Sequence, residues 1–136
     1  MPYQKFLDFI SQCAEEFKRI EKNETIRLIS HLDCDGLSAC SIMIKTMNIE
    51  NRRYTTSIVQ QLDKAVLSQL AKEQYNYFVF TDLGSGCLST ISTLLREKNV
   101  YVLDHHIPET AKEHRNILHI NPHIFGHDGN MEISAS

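Results

Sequence analysis

Ile26-Arg27-Leu28-Ile29-Ser30-His31-Leu32-Asp33-Cys34-Asp35-Gly36-Leu37 reads as strand, loop and helix: a short β-prone run, Ile26 to Ser30, breaks into an acidic loop, and helical spacing follows from about Leu37 to Met47. The unit then repeats. Arg53 to Val59 carries Tyr, Thr and Ile residues suited to a strand, and Asp63 to Glu73 returns to helical spacing through Ala65, Val66, Leu67 and Leu70. Tyr77 to Thr81 is a third strand, Leu88 to Lys98 a third connecting helix, and Val100 to Leu103 a fourth strand ending directly on Asp104. A fifth short run, Ile117 to Ile120, precedes Asn121-Pro122, and Gly126, Asp128 and Gly129 read as loop. Upstream, Tyr3, Phe6, Leu7, Ile10, Cys13, Ala14, Phe17 and Ile20 recur at helical intervals, so the chain opens on an amphipathic helix ending near Asn23 whose apolar stripe should pack on a sheet. The alternation predicts an α/β domain with a parallel sheet.

The chain's 136 residues suffice for one domain with a real core. Apolar residues at 42% and charged residues at 23% are ordinary for a soluble protein, and no apolar run approaches the roughly 20 residues that span a bilayer. The start, Met1-Pro2-Tyr3-Gln4-Lys5-Phe6, lacks a basic segment followed by an apolar core and a small-residue cleavage site, so the expected compartment is the cytoplasm, with no membrane partner. Cys13, Cys34, Cys40 and Cys87 show no paired spacing and read as free thiols. A net charge of −3 makes no global electrostatic case for nucleic acid, although bound divalent cations would reverse the sign locally.

Three clusters fall at expected strand ends: His31-Leu-Asp33-Cys-Asp35-Gly36, Thr81-Asp82-Leu83-Gly84 and Asp104-His105-His106. Ligands of open α/β sheets bind at the carboxyl ends of strands, so the three should meet in one cavity. If the first cluster continues the strand, His31, Asp33 and Asp35 send alternate side chains to one side. Oxygen-rich ligation with one or two imidazoles suits Mn²⁺ or Mg²⁺ better than structural zinc. Asp82, from another strand, can bridge two such ions about 3.5 to 4 Å apart, the arrangement that generates hydroxide and stabilises in-line phosphoryl displacement. Each residue alone has a plainer reading. Asp35 can be a helix N-cap worth about 1 kcal/mol, Asp82 can stabilise a turn, and His105 or His106 can be an ordinary surface histidine. The joint pattern favours the metal centre.

His31-x-Asp33-x-Asp35-Gly36, Asp82 and Asp104-His105-His106 resemble motifs I, II and III of the DHH phosphoesterase superfamily. The form of motif I and the later Asn121-Pro122-His123, Gly126-His127-Asp128-Gly129 and Glu132-Ile133-Ser134 resemble the RecJ-like branch, especially archaeal single-strand exonucleases that associate with the replisome factor GINS. The resemblance covers residues 26 to 136 and implies a doubly wound, three-layer α/β/α DHH-type domain. It also implies that His31, Asp33 and Asp82 hold one metal, that Asp35, Asp82 and His105 hold the other, and that Asp82 bridges them. By the same carry-over His106 contacts the scissile phosphate, Asp104 orients a ligating or phosphate-binding histidine, and hydroxide generated at the metals is the nucleophile. Helix ends near Gly36 and the Gly84-Ser85-Gly86 turn are candidate phosphate donors through their N–H groups.

The chain also departs from that pattern. DHH enzymes supply a further metal-binding aspartate downstream and a smaller substrate-binding domain, and neither is found, so residues 1–136 are expected to be the amino-terminal, truncated portion of the catalytic domain. Asp128, 22 residues after His106, is the only later loop acid that can replace the missing ligand. The resemblance implies a metal-dependent phosphodiesterase removing nucleotides from the 5′ end of single-stranded nucleic acid, in DNA repair or replication. The alternatives are an oligoribonuclease, a cyclic-dinucleotide or pyrophosphate hydrolase, and a non-catalytic GINS-binding replisome scaffold, since the superfamily includes a eukaryotic helicase cofactor without nuclease activity. No interleaving of basic and aromatic residues appears near the clusters; Arg52-Arg53-Tyr54 comes nearest and reads as a solvated strand start. This piece alone is expected to bind metal without appreciable turnover.

Overall fold

A computed structural model describes residues 2–109 and 112–134; Met1, Ala135 and Ser136, the ends of the expected 1–136 domain, lie outside the described residues. Runs rich in β-branched and aromatic residues form β1 (Thr25–His31), β2 (Arg53–Val59), β3 (Tyr77–Thr81), β4 (Asn99–Leu103) and β5 (Ile117–Ile120). All pair in parallel, in the order β2-β1-β3-β4-β5. The helices are α1 (Gln4–Lys18), α2 (Cys34–Ile49), α3 (Lys64–Lys72) and α4 (Leu88–Leu94).

The three central strands are buried along nearly their whole length, because helices cover both faces of the sheet. On one face Ile29, Phe78, Phe80, Val100 and Val102 pack with Leu67 and Leu70 of α3 and Leu88 and Ile91 of α4. On the other, Leu28, Val79 and Tyr101 pack with Cys40 and Met47 of α2 and with Phe17 of α1. This is the doubly wound α/β/α arrangement. The chain leaves β1 outward to β2 and returns past it to β3, so the sheet order reverses between β1 and β3. The crevice at their carboxyl ends is where such sheets take ligands.

Several boundaries differ from the sequence reading for local reasons. Helix α2 begins a turn earlier because Asp33, not Asp35, is its N-cap: Asp33 Oδ1 accepts from Gly36 N–H at 2.8 Å. The same helix ends in a Schellman turn, with Asn51 at φ 53° and Arg52 N–H donating to Met47 O at 2.8 Å. Helix α4 stops at Leu94 rather than Lys98 because Asn116 Nδ2 donates to Leu95 O at 3.0 Å. Helix α1 stops at Lys18 rather than Asn23 because Arg52 caps it, donating to the carbonyls of Phe17, Lys18 and Ile20. Arg52 is therefore buried, 5% exposed, and not a solvated strand start. The α1 stripe meets the sheet through Phe17, edge-on to Tyr101, while Phe6 and Phe9 pack on Phe125, in the 3₁₀ turn Pro122–Phe125. All four cysteines are free. No helix among the described residues is long and apolar enough to cross a membrane.

Candidate metal centre

Asp82 is the first residue after β3 and the most buried carboxylate at the strand ends, 1% exposed. Its backbone sits at φ 60°, a left-handed conformation that costs a non-glycine residue roughly 1–2 kcal/mol and is best tolerated by Asn and Asp. That backbone turns out of the ladder while its N–H still donates to Leu103 O at 2.9 Å. Gly84 follows at φ 116°, where a Cβ would lie 2.9 Å from Val102 Cγ1, so the turn needs glycine twice over.

The first cluster reaches the same place by a route the alternate-side reading did not anticipate. Strand β1 ends at His31, Asp33 approaches as the helix cap, and Asp35 lies in the first turn of α2. Gly36 permits the close join, because a Cβ there would lie 2.3 Å from His31 O. Asp104, His105 and His106 follow β4 directly.

Two imidazoles face opposite oxygens of Asp82. His31 Nε2 lies 3.0 Å from Gln60 O, which can only accept, so the neutral ring carries its proton there and its lone pair on Nδ1. That Nδ1 is 2.9 Å from Asp33 Oδ2 and 3.6 Å from Asp82 Oδ2. His105 has the reverse tautomer: Nδ1 is 2.7 Å from Gly129 O, and Nε2 is 3.0 Å from Asp82 Oδ1 and 3.2 Å from Asp35 Oδ2. His31, Asp33 and Asp82 thus form one group of donor atoms within 4.8 Å of one another, and Asp82, Asp104, His105 and His106 form another. Asp104 is already engaged, accepting from Ser85 N–H at 2.9 Å, His105 N–H at 2.8 Å and His106 Nδ1 at 2.6 Å. It holds His106, whose side chain is half exposed, by one edge of the ring.

Burial, reinforced by Asp33 and Asp35, pushes the Asp82 carboxyl up to about 6. The Gly36 N–H holds Asp33 below its ordinary value. Burial would raise Asp104, but the Ser85 N–H and His106 outweigh it and the net direction is down. Burial likewise pushes His105 down, and the Gly129 carbonyl with Asp82 and Asp35 overcomes it, so the net direction is up. His31 Nδ1 and Asp82 Oδ2 are buried with no hydrogen-bond partner among the described residues, although they face each other. Unpartnered imidazole and carboxylate atoms, crowded by further carboxylates, fit a divalent cation that prefers oxygen with some nitrogen.

Other expected features do not gather here. Asp128 is exposed and caps its own turn, Oδ1 accepting from Asn130 N–H at 2.8 Å. The amides proposed for phosphate are already used, Gly36 N–H by Asp33 and Ser85 N–H by Asp104. Residues missed in the sequence support the site through main-chain atoms: Gln60 and Gly129 orient the two imidazoles by their carbonyls. A Cβ on Gly129 would fall 1.9 Å from His105 O. Glycine in the C-terminal loop was the one visible hint of that approach.

Fold and site together define an all-parallel α/β domain with an acid–imidazole centre at its β1/β3 switch point. This fold is shared with RecJ from Thermus thermophilus, solved in complex with Mn²⁺, at a TM-score of 0.65 and 20% identity over 85% of this chain and 17% of that one. It is also shared with CDC45 from Entamoeba histolytica, at a TM-score of 0.63 and 19% identity over 84% of this chain and 24% of that one. In sequence the chain is 41% identical over 116 residues to the uncharacterized protein MJ0831 of Methanocaldococcus jannaschii, covering 82% of this chain and 26% of that protein. No protein-family model matches. The chain thus spans about a quarter or less of the length of each of these proteins.

Proposed function

We propose that residues 1–136 form part of a DHH-type phosphoesterase domain that holds two divalent cations, Mn²⁺ or Mg²⁺, and hydrolyses phosphodiester bonds in single-stranded nucleic acid from the 5′ end. The observation that carries this reading is Asp82, a buried carboxylate with His31 at one oxygen and His105 at the other, His31 in turn beside Asp33 and His105 beside Asp35. His31, Asp33 and Asp82 would hold one ion, and Asp35, Asp82 and His105 the second. Divalent cations bound there supply charge neutralisation at phosphate oxygens and lower the pKa of water. The chain's own groups do the rest. Gln60 O and Gly129 O keep the ligating imidazoles in the tautomers that present lone pairs to the site. Asp104 engages His106 Nδ1, leaving Nε2 of this half-exposed ring for a phosphate oxygen of the substrate. Similarity to RecJ in complex with Mn²⁺ supports the choice of metal.

Similarity to CDC45 favours a second reading, a replisome scaffold that binds GINS and does not hydrolyse nucleic acid. Assays of a longer reading frame that contains this chain separate the two. They use Mn²⁺ with single strands carrying 5′ or 3′ phosphates, and cyclic dinucleotides as the competing substrate. The proposal expects release from the 5′ end, abolished by chelation and lowered at least about 100-fold in Asp82→Ala and His105→Ala. Unchanged turnover in both variants would contradict the site; GINS binding with no hydrolysis by the longer protein would favour the scaffold.

A further inference from the structure

Just beyond β5, Asn121 is fully buried, 0% exposed, in extended backbone at φ −148°, and among the described residues its side chain makes no hydrogen bond to Asp82 or to an expected metal ligand. Its side-chain amide is satisfied at both ends. Nδ2 donates to His106 O at 2.8 Å and to Ser85 Oγ at 2.9 Å. Ser85 in turn donates its N–H to Asp104 at 2.9 Å, and its Oγ lies 2.8 Å from His119 Nε2. At the other end Oδ1 accepts from His123 N–H at 2.9 Å. His123 Nε2 then accepts from Gly129 N–H at 3.3 Å, and Gly129 O accepts from His105 Nδ1 at 2.7 Å.

We infer that Asn121 is a positioning residue that sets both histidines of the Asp104-His105-His106 run, His106 through its amide nitrogen and His105 through its amide oxygen by way of His123 and Gly129. The inference deepens the metal-centre reading and rests on it for function, but the hydrogen-bond relay exists without metal. A buried, fully satisfied amide holds its neighbours in one arrangement, since any other leaves a polar atom unpaired. Among the described residues, no other asparagine lies at 0% exposure.

The two branches can be cut separately. Asn121→Asp keeps the shape and the acceptor for His123 N–H but removes both donors, so it acts on His106. His123→Ala, at a half-buried position, removes only the acceptor for Gly129 N–H, so it acts on His105. The readout is ¹⁵N-resolved exchange of imidazole N–H protons in the metal-free chain, at a temperature where circular dichroism shows each variant folded. His123→Ala should speed exchange of the His105 Nδ1 proton about tenfold or more and leave His106 protected. Asn121→Asp should do the converse. Mn²⁺ affinity should weaken about 10- to 100-fold in His123→Ala, as expected when a ligand loses its orienting partner. Should Asn121→Asp not fold, His123→Ala decides the oxygen branch by itself: His105 protection unchanged in that variant would overturn the inference. Protection at both histidines unchanged in folded variants would overturn the inference, as would a loss in which both variants act alike. Failure of the wild-type chain to bind Mn²⁺ would instead count against the metal centre, and the exchange result would still decide the role of Asn121.

Discussion

Asp82 combines three costs in one residue: a left-handed backbone, a buried carboxylate and two neighbouring carboxylates. Without a cation its ionisation opposes folding, and the sign follows from the shift. The carboxyl titrates near 6 in the folded chain against 3.8 for an ordinary aspartate, so between these values the folded state keeps a proton that the unfolded state has lost. Stability of the metal-free protein should fall by roughly 2 kcal/mol as pH rises from about 4 to 6. His105, held above its ordinary 6.5, extends the decline at higher pH, while Asp33 and Asp104, held below 3.8, act only under more acidic conditions. Chemical denaturation across pH 4 to 6.5 measures this slope, which Asp82→Asn should flatten; an unchanged slope in the variant would place the carboxyl outside the titration. Which residues gather could be read from His31, Asp33, Asp35, Asp82, Asp104 and His105 because their types and strand-end placement carry the signal. The groups that orient them could not. Gln60 and Gly129 act through carbonyls that every residue possesses, and Asn121 through a side chain common in turns.

Strands were the readable elements. Arg53–Val59, Tyr77–Thr81 and Ile117–Ile120 occupy the expected positions because β-branched and aromatic runs are bounded by polar or turn residues. Helix ends were less visible, since long-range partners set them. Asn116 shortens α4 across a gap in sequence, and Arg52 terminates α1 from 32 residues beyond Ile20. Periodicity within a helix contains no record of such caps. Arg52 also lies over the Phe17 ring, 5.2 Å from its centroid, so its loss removes hydrogen bonds, a cation–π contact and packing together. Arg52→Ala should lower stability by about 2–4 kcal/mol in urea denaturation. Loss of Mn²⁺ binding in the folded variant would be unexpected, because Arg52 lies at the opposite end of α2 from Asp33 and Asp35. A change under about 0.5 kcal/mol would show that α1 does not depend on this cap.

At the scale of the molecule, the parallel order β2-β1-β3-β4-β5 brings residues far apart in sequence to one end of the sheet. His31 follows from β1, Asp82 from β3 and His105 from β4, and no local segment could assemble this set. The departures from the sequence reading concern how each residue arrives: Asp33 as a cap, Asp35 on a helical turn, and Asp128 in a turn of its own. In the proposed centre Asp82 joins two half-sites. Calorimetric titration of the metal-free chain with Mn²⁺, beside Asp82→Ala, reads that role from binding alone. Binding by the wild-type chain, with every binding phase lost in the variant, is the predicted result; binding by Asp82→Ala equal to wild type would contradict it.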